Sequence, residues 1–531
     1  MIAFGLRNPV TRCAVLVMCF THWCSAQEVN QPASKPAFVP KITVSKETTW
    51  ATEPVGANGF VDYFTVLNRQ SGRGVTPENN AVVVLSLALG PAPEGGRRQP
   101  DRYYELLGIE PLPKDGPYFE YLWKWWDRKG KKLPPGGEKE FWVWEEQANA
   151  RPWTANEFPD LAEWLADMDA PLQLAVEASE RTEFYSPLFH EPGHPLCNVF
   201  LSVQSKTRTV ARALVTRAML RLGEENRFEA WNDLLAAHRL SRLIGRGPFA
   251  MDGLISYGTE RDVIEGELRL ISETQPSGKF TSRYHKQLSR LPPITQIIYK
   301  IDRSERASYL DLCQQIAGNR IRTMDFAEKS DAAWHEKLVE DSVRSQIDWD
   351  EVLRNGNRRF DRLIVALRHP TYQEREAALR PWDDEFKTLN ERRQQAAELY
   401  TTLKGKPALA ALTSDVLTAV TFEAIRRCSL AETKCRQRSR NLEIALALSA
   451  WRSDHDSYPK SLDDLAPQYL TTVPTDSFTD QPLRYERTAD GYRFYSFGPN
   501  GTDDQGRGES DLPAADDLIV QMPLPLPKAK P

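Results

Sequence analysis

One short segment of the sequence has the residue types and spacing of a catalytic metal site. Residues His190-Glu191-Pro192-Gly193-His194 spell the H-E-x-x-H pattern. In zinc proteases a helix places both histidines of this pattern on one face, with the glutamate beside the metal-bound water. Pro192 and Gly193 lie inside the pattern here, and both residues oppose a regular helix. The segment is therefore predicted to be a turn between helices rather than a zinc site.

Aromatic residues are concentrated in the N-terminal third of the chain. They are Tyr118, Phe119, Tyr121, Trp123, Trp125, Trp126, Trp142, Trp144, Trp153 and Trp164. Exposed indole faces would provide a platform for stacking sugar rings. Trp123 and Trp126 are three residues apart, however, which is the spacing of core aromatics on a helix. The favoured interpretation is a buried aromatic core, and a carbohydrate-binding lobe is the alternative.

The C-terminal part has the clearest succession of predicted elements. Asn441 to Ser453 has the apolar spacing of a buried helix face, and Tyr458-Pro459 ends that helix. Two aromatic-bearing runs on either side of Asp490-Gly491 predict a β-hairpin. A glycine-rich acidic loop from Gly498 to Gly506 follows, and Asp516-Asp517-Leu518 leads into a final strand.

This order resembles the globular domain of the type II secretion major pseudopilins, the type G, pilin-like family. The matching motifs are Tyr458-Pro459, Pro474-Thr475-Asp476, Tyr495-Ser496-Phe497-Gly498 and Asp516-Asp517-Leu518. The family's prepilin cleavage site and apolar first helix do not occur, and Asp476-Ser477-Phe478-Thr479 replaces its usual Asp-Pro-Trp-Gly turn. The resemblance therefore implies a borrowed α/β module at residues 436–522 rather than a pilin.

The same resemblance implies a Ca²⁺ site in the loop after the hairpin. The matching oxygen donors are the carboxylates of Asp503, Asp516 and Asp517 and the backbone carbonyl of Phe497. The chemistry agrees, because Ca²⁺ binds several oxygens from flexible loops and crowded carboxylates repel one another without a cation. The alternative is a solvated acidic turn, since Asn500 stands where the family often has aspartate.

The N-terminal residues have the organisation of a secretory signal. Arg7 and Arg12 precede an apolar run, and small residues ending at Ala26 provide a cleavage site before Gln27. Residues 1–26 are therefore predicted to be a signal peptide, and the alternatives are a buried first helix or a retained anchor. The predicted location is outside the cytoplasm, either periplasmic or extracellular.

Composition and charge exclude several classes of function. The formal net charge of −5 offers no long-range attraction to nucleic acid. No uninterrupted apolar stretch of about eighteen residues follows the signal, so no transmembrane segment is predicted after signal cleavage. The later cysteines form neither a disulfide scaffold nor a Cys-x-x-Cys zinc motif, and one disulfide bond or buried free thiols both stay open. They are Cys197, Cys313, Cys428 and Cys435.

The predicted fold class is mainly α, with a small α/β module at the C-terminus. Helical periodicity over 207–222, 228–244 and 254–271, with short turns between, predicts a helical array that weakly resembles tetratricopeptide repeats. The predicted organisation is, in order, a signal peptide (1–26), an extended leader (27–48), a tryptophan-rich and mostly helical N-terminal lobe (49–200), a helical array (201–435), the pseudopilin-like module (436–522) and a proline-rich tail (523–531).

The favoured function is non-enzymatic binding or assembly in the cell envelope or outside the cell, with an unidentified protein or envelope partner. The sequence has no nucleophile elbow, phosphate loop or credible set of metal ligands in its helical region. Two alternatives stay open. One is a secreted hydrolase whose site lies in the helical region or at the His190 segment. The other is a carbohydrate-binding protein that uses the tryptophan-rich lobe.

Overall fold

The computed structural model describes most of the chain after residue 39. The described ranges are 40–94, 98–189, 194–199, 201–321, 329–422, 425–509, 511 and 513–525. The predicted signal peptide, the leader up to residue 39, residues 190–193 of the H-E-x-x-H motif and the tail from residue 526 lie outside these ranges.

Short helices form the N-terminal lobe. They are α1 (Tyr63–Ser71), α2 (Ala81–Leu89), α3 (Asp101–Leu107), α4 (Leu122–Arg128), α5 (Glu138–Ala150), α6 (Pro159–Asp167) and α7 (Asp169–Ser179). The side chains of Asp62 and Asn80 accept hydrogen bonds from backbone amides in the first turns of α1 and α2. Such caps satisfy N–H groups that have no partner within the helix.

The tryptophans of this lobe divide into buried and exposed groups. Trp125, Trp126, Trp153 and Trp164 are buried, which confirms the predicted aromatic core for these residues. Trp123 is 48% exposed and Trp142 is 57% exposed, so the predicted place of these two residues in the core is wrong. The helix α4 has a single buried face made by Leu122, Trp125 and Trp126, at the three-and-four spacing, and Trp123 lies outside that face.

Three long helices and one shorter helix follow the lobe and pack on one another. They are α8 (Ser202–Gly223), α9 (Arg227–Ile244), α10 (Ala250–Thr274) and α11 (Gly278–Leu288), and a 3-10 turn (Leu196–Asn198) precedes them. The three helices predicted for residues 207–271 are confirmed with slightly longer bounds. α9 packs against both α8 and α10. Gly266 allows this close packing, because a Cβ there would lie 2.9 Å from a methyl carbon of Leu234.

The next helices contribute to a second part of the structure. They are α12 (Ile297–Lys300), a π-helical turn (Ile301–Glu305), α13 (Arg306–Ala317), α14 (Lys329–Val339), α15 (Asp341–Arg344), α16 (Trp349–Leu367), α17 (Tyr372–Thr402) and α18 (Lys406–Phe422). Residue spacing predicts two separate helices over 372–382 and 386–403, but the single helix α17 is continuous through Pro381. Leu379 and Ala396, on either side of this proline, are buried in the same core, and that packing offsets the hydrogen bond that proline removes.

The C-terminal region combines one long helix with a small sheet. The elements are α19 (Ile425–His455), a 3-10 turn (Leu462–Leu465), β1 (Arg484–Arg487), β2 (Tyr492–Ser496) and β3 (Leu518–Met522). The sheet is antiparallel with the order β1-β2-β3, and Phe494 lies opposite both Tyr485 and Val520. The side-chain amide of Asn441 on α19 donates a hydrogen bond to the Leu518 carbonyl of β3. The predicted mainly α fold with a small C-terminal sheet is confirmed.

Two hydrophobic cores organise the chain. The first contains Trp125 from the lobe, Leu234 from α9, and Leu448 and Phe494 from the C-terminal region. The second contains residues of α1 together with residues of α12 to α18. Elements from distant parts of the sequence thus share each core, and the predicted domain boundaries stay a prediction.

One described stretch is long and apolar enough to cross a membrane by length and composition alone. It covers Lys406–His455, and 75% of its most apolar window is buried inside the protein. A buried core helix of a soluble protein passes the same test, so this stretch is weak evidence for a membrane span.

Candidate functional site

A buried aspartate binds the backbone where β2 ends and the acidic loop begins. Asp476 is 1% exposed and accepts a hydrogen bond from the Ser496 hydroxyl at 2.9 Å. The same carboxylate accepts the backbone amides of Phe478 and Phe497, each at 2.8 Å. This carboxylate therefore positions the residue whose carbonyl is the predicted backbone ligand, Phe497.

A glycine brings the two sides of the loop together. Gly498 has a φ of +66°, and a Cβ on it would lie 2.1 Å from the carbonyl oxygen of Asp516. A residue with a side chain could adopt neither this backbone conformation nor this contact without strain. The loop after β2 and the residues before β3 therefore lie in direct contact.

Three carboxylates converge where these segments meet. Oxygen atoms of Asp504, Asp516 and Asp517 lie within 4.8 Å of one another. Asp517 is 5% exposed, and its Oδ2 accepts the Gly506 amide at 2.8 Å. The Oδ2 of Asp516 accepts the Asn500 amide at 3.1 Å. The Oδ1 atoms of Asp516 and Asp517 are both buried, and neither has a hydrogen-bond partner among the described residues.

The pKa values of these carboxyl groups reflect their crowding. Burial and the neighbouring carboxylates raise the pKa of Asp517 to about 6, although the Gly506 hydrogen bond opposes the rise. Burial also raises the pKa of Asp516, and the charge of Asp504 adds to the effect. A bound cation would neutralise this repulsion and satisfy the two unpaired oxygens.

The structure brings together two of the three predicted carboxylates. Asp503 is not in the cluster, and its Oδ1 accepts the Tyr495 hydroxyl at 3.0 Å and the Gln505 amide at 2.8 Å. Sequence reasoning missed Asp504, which occupies the cluster in its place. The sequence feature that could have indicated Asp504 is its position next to Asp503. Spacing alone does not determine which of these two side chains points toward the cluster.

A buried ion-pair network inside the helical array was also missed. His238 on α9 is 2% exposed, and its two ring nitrogens lie 2.7 Å from Glu260 Oε1 and 3.2 Å from Glu267 Oε1. Arg242 and the Ser241 hydroxyl also contact Glu260, and the Tyr284 hydroxyl donates to Glu267. A histidine with no cysteine or second histidine at ligand spacing is predicted to be a surface or satisfied core histidine, and the second description is confirmed for His238.

A second buried pair joins α8 to α9. Asp233 binds Arg217 through two hydrogen bonds, with Nε at 3.0 Å and Nη2 at 2.7 Å. Arg221 approaches the same carboxylate at 2.7 Å. The side chains of Arg217 and Asp233 are 6% and 2% exposed, so this pair is inside the protein.

The His190 segment lies largely outside the described residues, so its predicted turn stays a prediction. Just after it, Leu196 donates its backbone N–H to Asp311 Oδ2 at 2.7 Å and begins the 3-10 turn.

Comparison of the chain with protein-family models, with curated proteins and with solved structures gave no match.

Proposed function

We propose that this protein is an exported, non-enzymatic binding or assembly protein whose C-terminal module is stabilised by Ca²⁺. The observation that carries the proposal is the cluster of Asp504, Asp516 and Asp517, with two buried carboxylate oxygens that lack donors among the described residues. Leaving such oxygens unpaired costs free energy, and a cation would remove that cost.

Calcium suits this site better than magnesium. Ca²⁺ accepts a variable number of oxygen ligands in loops, whereas Mg²⁺ requires near-octahedral geometry and keeps several waters. The ligands in this proposal are the three clustered carboxylates and the Phe497 carbonyl. Asp503 then acts outside the site by holding Tyr495 and the loop backbone.

The proposal also includes two structural resemblances, one of the C-terminal module and one of the helical array. The succession of α19, a hairpin, an acidic loop and β3 supports a pseudopilin-like module at residues 436–522. The packing of α9 between α8 and α10 supports an array of the tetratricopeptide kind. Both architectures serve protein assembly in other proteins, which favours a protein or envelope partner.

The calcium proposal predicts that one substitution has opposite effects in two buffers. In chelator at neutral pH, Asp517→Asn should raise the midpoint of thermal unfolding, because it removes a crowded charge whose pKa is raised to about 6. In Ca²⁺ it should lower the midpoint, because it removes a ligand. For wild type, Ca²⁺ at a hundredfold excess over its dissociation constant should add about 2.7 kcal/mol of stability.

The control is Asp503→Asn, which changes an adjacent aspartate outside the cluster and should keep the calcium response. Differential scanning calorimetry of the full chain in Ca²⁺ and in chelator measures both effects. Equal wild-type midpoints in the two buffers would show that the loop is a solvated acidic turn.

Export predicts a defined N-terminus for the mature protein. The arginines, the apolar run and Ala26 occur in the order of a cleavable signal, so the exported chain should begin at or near Gln27. N-terminal sequencing of protein recovered outside the cytoplasm checks this. Recovered protein that begins at Met1 would contradict cleavage. Finding none of the protein outside the cytoplasm would contradict export.

A further inference from the structure

A cavity of about 290 Å³ lies between the helical array and the C-terminal sheet. Ser272 from the last turn of α10 and Arg452 from the last turn of α19 contribute to its lining. Asp490, from the turn between β1 and β2, and Met522, at the end of β3, also line it. Segments that are far apart in the sequence therefore form this cavity together.

Contacts within the protein fix the walls of the cavity. The Ser272 hydroxyl accepts the Leu524 amide at 2.9 Å, and Arg269 donates to the Leu524 carbonyl at 3.3 Å. These bonds attach the chain after β3 to α10. At the hairpin turn, a Cβ on Gly491 would overlap the carbonyl oxygen of Met522, so this approach of two backbones requires glycine. A cavity that is already formed lowers the ordering cost of binding a ligand.

The lining of the cavity includes both interior and surface residues. Tyr492 is 1% exposed and Ser449 is 8% exposed, whereas Asp456 and Asp490 are exposed. The cavity therefore reaches from the surface into the protein, as sites for small molecules do. Its volume is at the small end of the range for such sites, which favours a ligand the size of an amino acid or a monosaccharide.

The guanidinium group of Arg452 has unused hydrogen-bond donors. Its Nη1 donates to the Tyr458 hydroxyl at 3.1 Å, and its central carbon lies 5.1 Å from the centre of the Tyr458 ring. It makes no ion pair with any described residue. A guanidinium group has five N–H donors and binds a carboxylate through two of them. Arg452 can therefore hold an anionic group of a ligand.

The Tyr492 hydroxyl is a second unused donor. It is buried and has no hydrogen-bond partner among the described residues. The Tyr492 ring contacts the Tyr458 ring edge to face, with centroids 4.7 Å apart and planes at 78°. Tyr458 thus contacts both Arg452 and Tyr492, which places these two donors in the same part of the lining. An unpaired buried hydroxyl costs free energy, and an acceptor on a ligand would remove that cost.

Two carboxylates line the same cavity. The side chains of Asp456 and Asp490 make no ion pair or hydrogen bond in the described part of the chain, although Asp456 is only four residues after Arg452. The C-terminal ends of α10 and α19 add the partial negative charge of helix ends. The lining therefore carries one positive and two negative side chains. A ligand with matching charges has one anionic group and two cationic groups.

We propose that this cavity binds a free amino acid with a basic side chain, such as lysine. The carboxylate of the ligand contacts Arg452 and the Tyr492 hydroxyl, and its two ammonium groups contact Asp456 and Asp490. A monosaccharide is less suited to the cavity, because its neutral hydroxyl groups match none of the three charged side chains. The inference goes beyond the proposed binding role and does not depend on the calcium site.

The test is isothermal titration calorimetry of the full chain with L-lysine at neutral pH in the presence of EGTA. Two analogues separate the charges of the ligand, since cadaverine lacks the carboxylate and L-norleucine lacks the side-chain ammonium group. Wild type should bind lysine at least about tenfold more tightly than cadaverine, as expected for loss of a charged hydrogen bond. It should bind norleucine about two- to fivefold more weakly than lysine, because Asp490 is exposed.

Each substitution in the lining should remove one of these preferences. Arg452→Gln should lose most of the preference for lysine over cadaverine. Asp490→Asn should bind lysine and norleucine with similar affinity. Each ratio compares two ligands on the same protein, so it does not depend on any change in stability that the substitution causes.

Tyr492→Phe tests the second donor. It should weaken lysine binding about two- to tenfold, and its thermal midpoint without ligand should be no lower than that of wild type, because the hydroxyl is unpaired in the described protein. The control Arg358→Gln changes an exposed arginine of α16 and should leave lysine affinity unchanged. Asp517→Asn should also bind lysine like wild type, so failure of the calcium proposal would not be confused with failure of this one.

Three results would overturn the inference. One is no binding of lysine by wild type. The second is binding of cadaverine as tightly as lysine, which would assign the cavity to a polyamine. The third is an unchanged ratio of lysine affinity to cadaverine affinity in Arg452→Gln, which would place the bound lysine elsewhere on the protein.

Discussion

Replacing Asp233 by alanine is expected to lower the free energy of unfolding by about 3–5 kcal/mol, the usual cost of removing one partner of a buried ion pair. Asp233 makes two hydrogen bonds to Arg217, and both side chains are almost fully buried. Burial raises the pKa of Asp233 while the two arginines oppose the rise. The net contribution of the intact pair is therefore small. Most of the cost comes from removing the buried carboxylate beside Arg217, which then keeps only the exposed Asp169 as a partner, at 2.8 Å.

Chemical denaturation of wild type and variant measures this difference. Glu105→Ala is the matched control, because it removes an exposed partner of Arg102 and should cost at most about 1 kcal/mol. The double variant Arg217→Met, Asp233→Leu should recover much of the loss, since no buried charge remains unpaired. An Asp233→Ala variant as stable as wild type would show that solvent reaches this pair.

The His238 network is expected to make stability fall as the pH rises from about 6.5 to 9. Burial alone would lower the pKa of His238, but the Glu260 and Glu267 carboxylates overcome this effect and raise it to about 9. The folded-state pKa lies above the ordinary value of about 6.5. Protonated His238 therefore contributes its full share to the free energy of unfolding below pH 6.5, and this share is lost as the pH rises through 9. Its size is about 3 kcal/mol, since one pKa unit corresponds to about 1.4 kcal/mol.

The same network makes stability fall at acid pH. Burial opposes the charge of Glu260, but His238 and Arg242 lower the pKa of its carboxyl group to about 2. The stability that this ionised carboxylate contributes is therefore complete above its ordinary pKa of about 4.3 and is lost as the pH falls toward 2. Because His238 and Glu260 interact directly, the predicted pH dependence is that of the whole network. His238→Gln should be less stable than wild type at pH 6.5 and should have a flatter profile up to pH 9.

His369→Gln provides the control for the pH profile. This histidine is exposed, so its loss should leave the decrease between pH 6.5 and 9 intact. Urea unfolding at several pH values gives the profile for all three proteins. An equal slope in wild type and His238→Gln would place the origin of the pH dependence elsewhere.

Much of the fold could be predicted from local patterns. The helices α8, α9 and α10 follow from apolar residues at helical spacing, and the hairpin follows from aromatic runs around Asp490-Gly491. These signals work because backbone periodicity determines which side chains share a face. The same patterns failed at Pro381, where packing on both sides of the proline keeps α17 continuous.

The candidate site was predictable only in part. Asp516 and Asp517 enter the cluster because they directly precede β3, and strand pairing determines their position. The choice of Asp504 over Asp503 depends on the turn of the loop and on the Tyr495 hydroxyl, which binds Asp503. Residue type and spacing do not contain that information.

The mainly α fold, the C-terminal hairpin and the acidic character of the loop follow from local sequence patterns, because each depends on residues close together along the chain. Which charged side chains meet depends instead on how the helices pack. Arg217 pairs with Asp233, and His238 lies between two glutamates. Burial and pairing depend on the packing of whole helices, and that packing joins residues that no local pattern relates.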